Sequence, residues 1–146
     1  MQFTNEQLNA ALLIIRVTLG VIFFAHGAQK VLGWYGGYGL AATVGAFKNY
    51  MKIPAPLAYT ASFVELFGGI FILIGFLTRL TALGLIISMI VAIYKVHWKS
   101  GFFLSSGEPN KGNGFEYNLS LIAISLFLLV TGAGQYSLDS LLKLWL

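Results

Sequence analysis

The chain has 146 residues, about one domain's worth, and is 58% hydrophobic but only 10% charged. A soluble domain carries about 25% charge, so this chain cannot cover a water-facing surface, and it reads as a multi-pass membrane protein. Its net charge of +4 comes from singly scattered bases, which suit the flanks of membrane helices rather than a nucleic-acid patch, and the lack of cysteine removes disulfides, thiol chemistry and cysteine-based metal sites.

The start, MQFTNEQLNA, lacks the basic region of a signal peptide, so the first apolar run is expected to stay as an anchor. That run predicts span one at about 8–32. At 1.5 Å per residue it reaches ~37 Å, enough to cross an apolar layer of roughly 30 Å. Asn5 or Thr4 supplies its N-cap. A Gly- and Tyr-rich loop, GWYGGYG, follows, and then a helix-like stretch at about 40–50 that is too short to span and suits the interface. Pro54 and Pro56 mark the start of span two, about 57–76. GFLTRLT makes a tight turn into span three, about 80–97. The loop from Lys99 to Gly114 is the most polar stretch, and span four follows at about 115–131. The tail at 137–146 predicts a short interfacial helix in which Asp139 pairs with Lys143 at i,i+4.

The expected fold class is therefore all-α: a polytopic membrane protein with a four-helix transmembrane bundle in a single domain, 1–146. Backbone groups in lipid must be bonded within the chain, and no run alternates as a membrane barrel strand does. Four spans put both termini on one side. Lysines near the two long loops (Lys30, Lys48, Lys52, Lys95, Lys99 and Lys111) favour placing those loops in the cytoplasm.

Polar residues inside the spans are the candidate site. On a helix, Lys30 returns to nearly the face of Arg16, and His26 lies about 40° from Lys30. Gln29 flanks His26, so this set faces the bundle interior or a neighbouring subunit rather than lipid. Glu65 sits near the middle of span two. An ionised carboxylate there is costly unless paired, and Arg16 is the expected partner, with Ser62 one turn away. Such a pair either fixes helix register or lines a polar, redox or proton-linked pocket. Gly68 and Gly69, beyond Glu65, serve close packing or leave room for a flat ligand. His97 ends span three on the side of His26. Two histidines can relay protons or hold a metal, but no compact ligand spacing such as HExxH is present, and no metal site is assigned. Glu116 and Tyr117 open span four on the same side. Glu116 is favourable there by itself, or it reaches Lys30 or His97 across the mouth. Neither Gly-rich loop has the strand–turn–helix setting of a nucleotide site.

RVTLGVIFFAHGAQK, VELFGGIFILIGFLTRL and NGFEYNLSLIAISLFLLVTGAGQYSLD carry a family likeness over nearly the whole chain. The chain resembles the DoxX family of small bacterial membrane proteins. The resemblance implies a four-helix, multi-pass protein of the bacterial inner (plasma) membrane. Family members include a subunit of a thiosulfate:quinone oxidoreductase, proteins of oxidative or thiol-stress complexes, and proteins called oxidoreductases without an assigned reaction. The family's recurrent polar positions fall on Arg16, His26, Gln29, Lys30, Glu65, Arg79 and His97. The resemblance points to a redox-complex subunit with a quinone-like ligand in an internal polar pocket. It implies contact with the bilayer, a soluble or membrane redox partner, a homo-oligomer, and no nucleic acid. No haem, flavin or iron–sulfur motif occurs in the sequence, so a quinone or a partner would carry the electrons. Catalytic residues are not assigned. The competing readings are a non-enzymatic scaffold that recruits a partner through the lysine-bearing loops, and a small carrier.

Overall fold

Thr4 begins the first helix through a reciprocal cap. Its hydroxyl accepts from the Gln7 amide, and the Gln7 side chain accepts from the Thr4 amide, which selects Thr4 over Asn5. The computed structural model describes residues 4–104 and 112–144. Over these the chain forms α1 (Asn5–Val31), α2 (Gly39–Asn49), α3 (Ala55–Ile74), α4 (Thr78–Ala92), α5 (Glu116–Thr131) and α6 (Leu138–Leu141), with no strand among the described residues. α4 runs on through a π-helical turn, Ile93–His97, and a 3₁₀ turn, Trp98–Ser100.

α1, α3 and α4 with its extension are long and apolar enough to cross a membrane, whereas α5 is a shorter apolar helix of 16 residues. At 1.5 Å per residue α5 reaches ~24 Å, less than the hydrocarbon thickness of about 30 Å. Together they form the all-helical membrane bundle. Ile14, Val21, Leu80, Ile87 and Val130 point outward and are exposed. This apolar exterior is the surface that meets lipid. α2 matches the short helix expected at 40–50, and a small cluster of Val44, Ile53 and Ala58 seats it beside α3.

α1 and α3 share the most extensive interface. Gly20 abuts Gly69 and Leu73, while Gly27 lies against the backbone of Leu66. A Cβ on Gly27 would come within 2.3 Å of the Leu66 nitrogen, so only glycine permits this approach. Gly69 meets α1, and Gly68 meets Leu85 and Thr81 of α4; both are spent on helix packing, and neither lines a ligand space. A core of Leu19, Phe23, Ile72, Leu85, Leu121 and Leu128 joins α1, α3, α4 and α5.

The tail differs from its sequence reading. α6 covers only Leu138–Leu141, Lys143 has a φ of 55° outside any helix, and residues 145 and 146 lie outside the described residues. Asp139 does not pair with Lys143. It is buried and accepts from the amides of Leu77 (2.6 Å) and Thr78 (2.9 Å), capping α4, while its own amide donates to the Gly75 carbonyl. The first amides of a helix lack intrahelical partners, and a buried pair of them outweighs one exposed i,i+4 contact. Asp139→Ala should therefore cost about 1–2 kcal/mol, whereas Lys143→Ala should stay within about 0.5 kcal/mol. Thermal melts of the detergent-solubilised variants check this, and equal melts for the two would refute the cap.

Candidate functional site

The carboxylate of Glu65 takes its charge partner from the end of α1. Lys30 Nζ lies 2.5 Å from both Glu65 oxygens, and this is the single ion pair among the described residues. Ser88 of α4 donates to Glu65 Oε1 at 3.4 Å. Glu65 is almost fully buried, but the Lys30 side chain keeps 27% of its exposure. The pair follows from helix register. Gly27 is pressed onto Leu66, so the next turn of α1 brings Lys30 over Glu65.

The same register corrects the expected Arg16–Glu65 pair. Arg16 lies toward the other end of the α1–α3 interface, beyond the contact of Gly20 with Leu73. Its guanidinium, 1% exposed, donates to four carbonyls: Ile72 (3.2 Å) and Leu73 (3.1 Å) at the end of α3, and Ala133 (2.7 Å) and Tyr136 (2.8 Å) before α6. Ser62 is not part of either cluster, and its hydroxyl donates to the Ala58 carbonyl within α3.

Lys30 and Glu65 stand at the inner end of a cavity of about 720 Å³ enclosed by α1, α3, α4, α5 and the loops at their long-loop ends. Its wall is mostly apolar and includes Phe23, Phe47, Ile53, Val64, Met89 and Leu121. Few polar side chains interrupt it, as in pockets that orient small ligands. His26 and Tyr117 line it together as a tilted aromatic pair, with ring centroids 6.4 Å apart. His97 sits at the mouth on the π-helical turn. Its Nδ1 lies 2.7 Å from the Asn113 carbonyl, which can only accept. Nδ1 therefore carries the proton, and in the neutral ring Nε2 is left as an acceptor. Such π turns are frequent at functional sites. Lys52 and Lys95 also line the mouth, and Lys30 Nζ lies 5.9 Å from the Phe47 ring centroid.

The structure thus brings His26, Lys30, Glu65, His97 and Tyr117 to one space and leaves the other candidates elsewhere. Arg16 is not on the cavity wall. Gln29 donates to the Tyr35 carbonyl and holds the Gly-rich loop against α1. Arg79 belongs to the opposite end of the bundle, where it donates to the Val130 carbonyl at 3.3 Å. Glu116 reaches neither Lys30 nor His97; it accepts from the Leu104 amide and ties the second long loop to α5. Among the described residues no group of three or more His, Asp or Glu is placed to hold a metal ion. Sequence reasoning passed over Ser88 and the buried Asn118, which both line the cavity. Each is an isolated polar residue in an apolar span, the same signal that singled out Glu65.

The DoxX family profile matches residues 11–98, which carry Arg16, His26, Lys30, Glu65 and His97. The chain belongs to the DoxX family. A second profile, described as TQO small subunit DoxD, matches residues 55–145. Among curated relatives, a Bacillus subtilis protein named "Putative oxidoreductase CatD" is 30% identical over 92% of this chain and 89% of its own length. Inner membrane protein YqjF of Escherichia coli K12 is 30% identical over 94% of this chain and 96% of its own length. Inner membrane protein YphA of the same organism is 33% identical over 88% and 87%. No solved structure matches the chain significantly. With its apolar helices, this DoxX-family chain is a multi-pass protein of the bacterial inner membrane.

Proposed function

We infer that this DoxX-family protein is the membrane subunit of a redox complex and that its cavity binds a quinone-like ligand. The observation that carries the reading is the apolar cavity lined by a partly exposed lysine whose ammonium rests on a buried carboxylate. A volume of about 720 Å³ lies in the range of small-molecule sites, roughly 300–1,000 Å³. The residues present suit a quinone head. Lys30 lines the cavity and its ammonium can offer an N–H donor to a ring oxygen, while the Glu65 carboxylate keeps that cation in place. The His26 and Tyr117 rings form part of the same wall, and both can donate or accept a proton. A bound quinone would accept two electrons and two protons. Those two electrons would be delivered by a redox partner subunit, since the sequence carries no haem, flavin or iron–sulfur motif and, without cysteine, forms no thiol intermediate. The name of the second matching profile, a small subunit, supports membership of a complex.

The partner's docking face is the long-loop end, where Lys52, Lys95 and Lys99 are exposed around the mouth. The same lysines would serve a scaffold without redox chemistry, and ligand content separates the two readings. Native mass spectrometry of the gently solubilised complex, with quinone extraction beside it, should find a quinone-sized molecule retained by the wild-type chain. Protein that carries none and does not bind added quinone overturns the redox reading. If partner capture nonetheless survives Lys30→Met but fails in Lys95→Glu/Lys99→Glu, the scaffold reading takes its place.

A further inference from the structure

The cavity is bounded by helix seams of unequal tightness. The α1–α3 seam is closed by glycine contacts, and the α4–α5 seam by the core around Leu85, Met89 and Leu121. α3 and α4 also touch near their turn, where Gly68 meets Leu85 and Thr81. Further along, a Cβ on Gly84 would lie 3.4 Å from Val64 Cγ1, and the Ser88 hydroxyl reaches Glu65 at 3.4 Å. From there to the long-loop end, the facing residues of both helices line the cavity. Ala61, Ser88 and Ala92 are small, while Leu57, Ile87 and Val91 stand at the outer lip. Those three residues line the cavity and yet are 60%, 55% and 40% exposed. They lie within the membrane-crossing lengths of α3 and α4, so what lies outside them is lipid rather than water.

We propose that the cavity takes a lipid-soluble ligand sideways from the bilayer through a portal between α3 and α4. Its flat polar head rests against Lys30 and Glu65, and its apolar tail lies along the seam from Val64 and Gly84 to Leu57 and Val91. The proposal rests on the redox reading for the chemistry of the head; the tail and the route come from the seam. The seam is apolar apart from Thr60 and Ser88, so it matches a hydrocarbon chain and offers little to a charged headgroup. The cations lie at the two ends instead, with Lys30 inside and Lys52 and Lys95 at the aqueous mouth. A tail of this kind gains from staying in contact with lipid while the head is removed from it. The small side chains at Ala61, Gly84 and Ala92 leave the gap that the tail fills.

The test uses the full chain in nanodiscs of phosphatidylethanolamine and phosphatidylglycerol. It titrates two probes, a benzoquinone with a long isoprenoid tail and the same headgroup without a tail. Gly84→Leu would project a branched side chain from α4 into the seam beside Val64. The ratio of the two affinities is read in wild type and variant, which cancels the partition of each probe into the bilayer. In Gly84→Leu the long-tailed probe should lose at least about tenfold in affinity relative to the tailless one, a factor that a few lost apolar contacts readily supply. If Gly84→Leu fails to fold, Ala61→Phe fills the seam from α3 and carries the same test. An unchanged ratio in a folded variant, with both probes bound by wild type, overturns the portal and leaves the quinone reading standing. Wild type that binds neither probe overturns the quinone reading and the portal's occupant with it.

Discussion

Arg16→Met is expected to destabilise the protein by at least about 3 kcal/mol, more than any other single change to a polar side chain in the bundle. The guanidinium joins four carbonyls from two separate stretches, the end of α3 and the segment before α6, and it is buried. Methionine keeps the apolar stem but removes the planar fork, and so leaves those acceptors without donors. Hydrogen bonds to a charged donor contribute about 1.5–3 kcal/mol each, although four on one group do not add in full. The melting temperature of the solubilised protein should fall on the order of 10 °C. Arg16→Lys should recover only part of the loss, because an ammonium has three donors on one nitrogen and cannot reach carbonyls spread around a planar fork. If Arg16→Met melts like wild type while losing ligand binding, the residue serves the cavity and not the junction.

The second large effect separates stability from binding. Lys30→Met leaves the Glu65 carboxylate buried beside Ser88 alone, and Glu65→Leu leaves an ammonium over an apolar floor. Removing one partner of a buried pair costs about 3–5 kcal/mol. The partial exposure of Lys30 moves the expectation to the low end, about 2–3 kcal/mol for each single change. The double variant Lys30→Met/Glu65→Leu removes both charges together and should recover much of that stability. Quinone affinity behaves differently: it should fall at least about tenfold in both single variants and stay low in the double. Melts and quinone titrations on the same four proteins check both halves. A double variant destabilised by the full sum of the singles would show that the pair is not coupled, and a double variant that binds quinone normally would move the ligand away from Lys30.

Glu65 illustrates how far the polar residues could be read. Its depth in an apolar span marked it as paired or functional, because an isolated charge in hydrocarbon is costly. That argument is local and needs no fold. The choice between Arg16 and Lys30 as partner is not local, since both are cations on one broad face of α1. It turned on the sliding register of α1 against α3, fixed by Gly20 and Gly27. The same glycines carried Arg16 past the carboxylate to the end of α3, where helix-terminal carbonyls lack partners. Gln29 and Glu116 were equally plausible on the cavity wall, but each is taken up by a nearby loop amide or carbonyl.

Length, hydropathy and the scarcity of charge determined that this chain is helical and membrane-spanning, because lipid accepts only backbone that bonds to itself. They also set the approximate limits of the helices, through Thr4, the prolines at the start of α3 and the turn at Gly75. The tertiary structure decided what composition cannot encode. It seated Asp139 on the start of α4 rather than on Lys143, drew His26, Lys30, Glu65, His97 and Tyr117 around one cavity, and made the facing residues of α3 and α4, from Val64 and Gly84 toward the long loops, part of its wall. Each of these depends on where two distant stretches meet, and that is set by the fit of small residues into facing helices rather than by the pattern along any one of them.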